Sequence, residues 1–161
     1  MAGKDVFGLI ISIAVSQSAG LIGSIFTRSE LQSTWYAALQ KPSFQPPGWV
    51  FAPVWITLYT LMGIAAFLVW RKGLSSRKVQ LALMIFLVQL ILNTLWSLLF
   101  FGLNWPLGGL VDIVILWVAI LLTIIAFKDI SKPAALMLIP YILWVTFALV
   151  LNFEIWRLNR P

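Results

Sequence analysis

The chain has 161 residues, of which 61% are hydrophobic and 10% are charged, and its formal net charge is +6. Water-soluble domains are about half apolar and a quarter charged, so this composition excludes an ordinary soluble fold and indicates a lipid environment. Cysteine and histidine are absent, which excludes disulfides, thiolate and imidazole catalysis, and the commonest zinc and haem ligands. No metal site is predicted. Basic residues form short clusters between apolar runs, as beside anionic lipid headgroups, so nucleic-acid binding is not expected.

Long uncharged runs determine the predicted fold class. Within a bilayer every backbone N–H and C=O must be paired internally, which leaves only helices and closed barrels. Runs such as 81–92 and 113–127 lack the alternation of polar and apolar residues that barrel strands show. The first run has no small-residue cleavage site and is interpreted as a retained helix. The sequence predicts a single all-α domain, residues 1–161, with five membrane-spanning helices at about 6–26, 49–70, 79–101, 107–127 and 133–156.

The only sizeable polar connection, residues 28–47, is predicted to form a lid over one end of the bundle. Ser29 and Gln32 have the spacing of a capping box, and Pro42 is expected to end the short amphipathic helix that starts there. Lysine and arginine are more numerous around the N-terminus and the loops at 71–78 and 128–132 than on the opposite side. This bias predicts that the N-terminus lies inside and the lid outside.

Polar residues within the apolar runs are the first candidates for function. Asn93 lies in mid-span, where an amide facing lipid would be costly, so it is expected to face the bundle interior. Its amide serves either an interhelical hydrogen bond or a ligand contact, or both. Asp112 is the single acidic residue within the fourth run, and Glu154 is placed to pair with Arg157 at i+3. A proton relay needs a second carboxylate near mid-depth, and none of the runs supplies one.

Tryptophan is the second candidate, with nine residues in the chain. One group stands at predicted span ends, as interfacial anchors do: Trp49, Trp70, Trp105 and Trp156. A second group falls inside the spans: Trp55, Trp96, Trp117 and Trp144. These large rings either pack the core or line a cavity for a flat apolar molecule. An aromatic pocket, an amide and a lid, without a conventional catalytic residue, favour a receptor over a hydrolase.

The segment from Trp35 to Trp55, WYAALQKPSFQPPGWVFAPVW, resembles the signature of the TspO/MBR family of translocator and tryptophan-rich sensory proteins. Further matches to this family fall in its order and spacing at 58–63, 93–102, 140–144 and 151–157. The resemblance covers nearly the whole chain. It implies a five-helix bundle, often a homodimer, in a bacterial cell membrane, with a ligand pocket beneath the first loop.

The resemblance also implies a ligand class and a set of binding residues. Family members bind porphyrins such as protoporphyrin IX, sterols in some cases, and synthetic isoquinoline and benzodiazepine drugs. The implied ligand contacts, from the pocket mouth to the fifth helix, are Trp35, Phe51, Trp55, Asn93, Trp96, Trp144 and Ala148. Some bacterial relatives promote light-dependent porphyrin breakdown through tryptophans that match Trp55 and Trp144. Porphyrin is thus expected as a ligand, and no cofactor is predicted.

The sterol-recognition pattern of animal members is incomplete here. Leu151 and Arg157 match this pattern, whereas Phe153 replaces its tyrosine, which weakens the case for cholesterol. Without histidine or cysteine, metal-free porphyrin is a better candidate than haem. The leading hypothesis is a membrane receptor that binds porphyrins and either buffers, moves or photochemically degrades them. The alternative is a transporter of tetrapyrroles or sterol-like metabolites, although no inverted repeat supports it.

Overall fold

The computed structural model describes residues 3–160, other than the side chain of residue 4, so residues 1, 2 and 161 of the predicted domain lie outside it. The seven α-helices of the described chain are α1 (Gly3–Leu31), α2 (Thr34–Ala38), α3 (Phe51–Trp70), α4 (Arg77–Ser97), α5 (Pro106–Lys128), α6 (Lys132–Met137) and α7 (Ile139–Asn159). A 3₁₀ turn, Gly48–Val50, leads into α3, and a π-helical turn, Leu98–Gly102, extends α4. No strand occurs among these residues.

Five helical segments are long and apolar enough to cross a membrane, with α6 and α7 together forming the fifth. The all-α fold with five spanning helices is therefore confirmed. The fifth segment is interrupted at Leu138, between α6 and α7. Pro140 has no N–H to donate to the carbonyl of Leu136, which explains why the helix does not run continuously through this point.

The predicted start of the lid helix is wrong. Residue Ser29 lies within α1, and its hydroxyl donates to the carbonyl of Phe26 at 2.9 Å. The N-cap of α2 is instead Ser33, whose hydroxyl accepts from the backbone N–H of Tyr36 at 3.2 Å. No proline or glycine occurs between Phe26 and Leu31 to end the first helix. The α1 helix therefore continues to Leu31 and includes the first residues of the polar segment 28–47.

The spanning helices form a ring in which α1 packs against α3 and α4, and α5 packs against α4 and α7. Glycine allows the closest approaches in this ring. A Cβ on Gly63 of α3 would lie 2.5 Å from the Cα of Ile13, and one on Gly20 of α1 would lie 2.3 Å from the Tyr59 ring. These two glycines thus serve packing within the chain, and the homodimer stays a prediction.

The α3 helix packs on α6, the first part of the fifth segment, and not along the length of α7. The chain therefore leaves a groove between α3 and α7 on the side of the bundle. The lid residues 32–47 lie at the end of the bundle where α1 ends and α3 begins.

Candidate functional site

A chain of buried polar side chains crosses the interior. The amide oxygen of Asn93 in α4 accepts a hydrogen bond from the hydroxyl of Tyr59 in α3. Its Nδ2 donates to the hydroxyl of Tyr141 in α7 at 2.8 Å, and that hydroxyl donates to Oε1 of Gln89 at 2.8 Å. All four side chains are buried. Asn93 therefore makes the interhelical hydrogen bonds that its position in the sequence suggested.

The indole of Trp55 lies beside this polar chain, on its lid side. Its ring stacks on Tyr59 with centroids 5.5 Å apart and meets Tyr141 edge-on at 6.3 Å. One turn earlier in the sequence, the ring of Phe51 meets Trp144 of α7 edge-on at 5.9 Å. Aromatic contacts thus connect the buried polar chain to the wall of the groove.

The groove between α3 and α7 has a volume of about 560 Å³. Its walls are almost entirely apolar and comprise Pro53, Val54, Thr57, Leu58, Leu61, Pro140, Leu143, Trp144 and Phe147. The hydroxyl of Thr57 donates to the carbonyl of Pro53 at 2.9 Å and is therefore occupied. The indole Nε1 of Trp144 is buried and has no hydrogen-bond partner among residues 3–160. The groove thus has apolar walls, and one residue of its lining carries an unpartnered N–H donor.

A second aromatic cluster lies between the lid and the π-helical turn. Trp96 stacks on Phe100 with centroids 5.4 Å apart, and Trp35 of α2 meets the same ring edge-on at 6.1 Å. The indole Nε1 of Trp96 donates to Oδ1 of Asn152 at 2.9 Å, so this N–H is satisfied by the protein. Trp35 and Trp96 therefore lie together in one cluster, which Phe147 of the groove wall borders, but neither of them lines the groove.

The lid is attached to the end of α7. The side-chain amide of Asn159 accepts from the backbone N–H of Gln40 at 2.9 Å and donates to its carbonyl at 2.8 Å. Phe44 meets Phe147 edge-on at 6.2 Å, which brings the lid to the groove wall. Burial raises the pKa of the Tyr36 phenol, an effect partly opposed by its hydrogen bond from Gln45.

Comparison with known proteins agrees with this architecture. The model of the TspO/MBR family matches residues 12–157. This chain belongs to the TspO/MBR family. It is 46% identical to the tryptophan-rich protein TspO of Chlorobaculum tepidum over 156 residues, 97% of this chain and 98% of that protein. Its identity to the human translocator protein is 41% over 140 residues, 86% of this chain and 82% of that one.

The residues implied by the TspO/MBR resemblance fall into three places. Trp144 lines the groove, with Phe51 and Trp55 behind it. Trp35 and Trp96 belong to the cluster under the lid, and Asn93 lies in the buried polar chain. Ala148 is half-buried against the core one turn after Trp144. The part each of them plays toward a ligand stays a prediction.

The sterol-motif residues of this TspO/MBR member do not share one surface. Leu151 is buried in the core, whereas Phe153 is 41% exposed and packs beside Trp156. The guanidinium of Arg157 pairs with Glu154 at 2.7 Å, which confirms the expected i+3 ion pair. The part these three residues play toward a sterol stays a prediction.

The structure also places Trp117 and Asp112, two residues that lie within the predicted spans. Trp117 does not line the groove, because it lies between α5 and α7 with its Nε1 donating to the hydroxyl of Thr146 at 2.8 Å. Asp112 is buried within the bundle, and its Oδ2 has no partner in the described chain.

Sequence reasoning missed several members of both sites. Gln89 precedes Asn93 by one helical turn, and this i, i+4 spacing of two amides in an apolar span is a signal for a polar inner face. On the groove side, Leu143 and Phe147 flank Trp144 at i−1 and i+3. No local pattern showed that the α7 face carrying Trp144 opens sideways, because the gap depends on how α3 and α7 diverge.

Proposed function

We propose that this protein binds a large planar hydrophobic molecule, a metal-free porphyrin such as protoporphyrin IX, against the groove between α3 and α7. The observation that carries this proposal is the apolar groove of about 560 Å³ lined by Trp144, a residue whose indole N–H is buried and unpartnered. Small-molecule pockets have volumes of roughly 300–1,000 Å³ and place few polar groups in apolar walls. The groove matches both properties.

The groove's side chains suggest how such a ligand is held. A macrocycle gains burial and ring contacts against Trp144 and Phe147, and the aromatic pair Trp144 and Phe51 stiffens that wall. A rotation of the Trp144 ring on binding would bring its unpartnered Nε1–H to an oxygen or nitrogen acceptor of the ligand, which removes the cost of leaving a buried donor unpaired. No histidine or cysteine is present to ligate a porphyrin iron, which favours the metal-free form.

The proposal is tested by titrating purified protein with protoporphyrin IX and following intrinsic tryptophan fluorescence. Trp144→Phe keeps an aromatic ring but removes the N–H, and we expect affinity to fall about fivefold to tenfold, the size of one hydrogen bond to a buried group. Trp117→Phe is the matched control, because its indole contacts Thr146 outside the groove. Equal affinities for wild type and both variants would refute the groove assignment.

Light-driven breakdown of the bound porphyrin is the second part of this proposal. Trp144 lines the groove, and Trp55 stacks on Tyr59 behind it, so two oxidisable indoles lie close to a ligand in that position. Under illumination we expect the porphyrin absorption band to decay faster with wild type than with Trp55→Phe/Trp144→Phe. If the bound porphyrin decays at the same rate as free porphyrin, the protein binds the ligand but does not promote its breakdown.

Translocation is a second candidate function, and the lateral position of the groove favours it. Leu143 in the groove wall is 64% exposed on the side of the bundle, so a ligand can exchange directly with the surrounding bilayer. Related proteins carry the name translocator protein. Porphyrin flux into sealed proteoliposomes, compared with protein-free vesicles, tests this function. Flux equal to that of empty vesicles excludes it.

A further inference from the structure

The end of the bundle opposite the lid carries a second depression, between the end of α3 and the start of α6. Its volume is about 570 Å³. In contrast to the groove, much of its wall is polar and basic. The lining includes Arg71, Lys72, Ser131 and Lys132, together with the apolar residues Ile130 and Pro133.

The positive charges around this depression form no ion pair with any described side chain. Among the side chains of residues 3 and 5–160, the only ion pair within 4.0 Å joins Glu154 and Arg157, which lie near the opposite end of the bundle. The nearest carboxylate in sequence, Asp129 at the end of α5, makes no such pair with Lys132 or with either cation of the α3 end. Three cations from two segments thus face one concavity, where their mutual repulsion favours binding of an anion.

Two contacts also fix the positions of residues that line this depression. The guanidinium of Arg71 lies 5.8 Å from the centroid of the Phe67 ring, which restrains its position at the end of α3. The hydroxyl of Ser131 accepts from the backbone N–H of Ala134 at 3.4 Å and so fixes the start of α6. An anion between these segments meets donors from both sides.

The depression lies at the level of the lipid headgroups. One spanning segment ends at Trp70 and another begins at Lys132, so the basic residues stand where hydrocarbon gives way to water. Ile130 and Pro133 offer apolar contact beside the charges. The α3 helix, with 20 residues at 1.5 Å per residue, places this end about 30 Å from the lid end.

We propose that this depression is a specific site for a phosphate ester, the headgroup of an anionic phospholipid. Arginine and lysine are the usual ligands of phosphate, and the bidentate guanidinium adds directional hydrogen bonds to charge. A net negative headgroup is preferred over phosphatidylcholine, whose choline cation opposes the basic wall. The site is independent of the proposed porphyrin groove.

The test uses the full chain in detergent and native mass spectrometry to count bound phosphatidylglycerol across a titration. The double variant Arg71→Gln/Lys132→Gln is expected to lower affinity about tenfold, since two charged contacts are lost. Arg77→Gln/Lys78→Gln is the matched control, because these exposed residues carry equal charge on the same side but do not line the depression. The control is expected to change affinity less than about twofold.

Parallel titrations with phosphatidylcholine and with inorganic phosphate identify the source of the phosphate. Binding of inorganic phosphate that depends on Arg71 and Lys132, without retention of phosphatidylglycerol, supports the anion site but assigns it a soluble ligand. Equal losses in the two double variants, or no loss in either, overturn the proposal. Protoporphyrin IX titration of both variants should match wild type, which separates this site from the proposed function and shows that the variants fold.

Discussion

The hydroxyl of Tyr141 accepts a hydrogen bond from Nδ2 of Asn93 at 2.8 Å, and this contact joins α7 to α4 in the middle of the bundle. With Tyr59 and Gln89 on the same network, three spanning helices are connected by buried polar groups. Such groups have few alternative partners in an apolar interior. The network therefore specifies how α3, α4 and α7 are arranged around the groove.

Asn93→Leu is expected to destabilise the fold, because the variant leaves the hydroxyls of Tyr59 and Tyr141 without their shared partner. The expected loss in free energy of unfolding is about 1–3 kcal/mol. Unfolding in detergent, followed by circular dichroism, provides the measurement. Thr146→Val serves as control, since its hydroxyl lies at an exposed position and bonds Trp117. Equal unfolding of Asn93→Leu and wild type would show that the network adds no stability.

Gly63→Ala is expected to separate α1 from α3. The added Cβ would lie 2.5 Å from the Cα of Ile13, and this backbone atom cannot rotate away as a side chain can. Strain of this kind costs about 1–3 kcal/mol. Gly48→Ala is the matched control, because nothing lies within 4 Å of its new Cβ. A lower unfolding temperature is predicted for the first variant only.

Asn159→Ala is expected to loosen the lid, because it removes both hydrogen bonds to the backbone of Gln40. Hydrogen exchange at residues 39–47 should accelerate severalfold while exchange in α3 and α5 stays unchanged. The control is Gln80→Ala, whose lost bond to the carbonyl of Leu74 lies at the other end of the bundle. Unchanged exchange in the lid would show that Asn159 does not hold it.

Stability at alkaline pH should depend on Tyr36. Burial raises its pKa above the ordinary value of 10.0, so the folded chain holds the phenol proton more tightly than the unfolded chain. This contribution to stability is complete below pH 10 and declines as pH rises through the folded pKa. Tyr36→Phe removes the part of this decline that Tyr36 causes. Unfolding measured from about pH 8 to about pH 11 should therefore show a shallower alkaline loss for the variant than for wild type.

Hydropathy predicted the five helices well, because each span in lipid must present apolar side chains and pair its own backbone N–H and C=O groups. The interior position of Asn93 followed from the lipid environment too, since its amide does not tolerate contact with lipid. The break at Leu138 was not predicted, although Pro140 supplies its cause. Local polarity did not predict that α1 continues past Ser29, because a capping motif competes with continuation of a helix already formed.

The sequence predicted less of the candidate site than of the fold. Trp144 and Trp117 both fall inside apolar spans, yet only the first lines the groove and has an unpartnered indole N–H. The difference arises from their neighbours on other helices, Thr146 in one case and the gap beside α3 in the other. Periodicity along one helix contains no information about such partners.

The most direct test of the central claim places a ¹⁹F label on the groove wall. The chain has no cysteine, so Leu143→Cys and Leu122→Cys each give one site for a trifluoroethyl thiol label. Leu143 lines the groove and is 64% exposed, whereas Leu122 lies on α5 outside it and is 50% exposed. Protoporphyrin IX should produce a saturable ring-current shift in the ¹⁹F resonance at position 143 and none at 122. Equal shifts at both positions, or none at 143, would contradict binding in the groove.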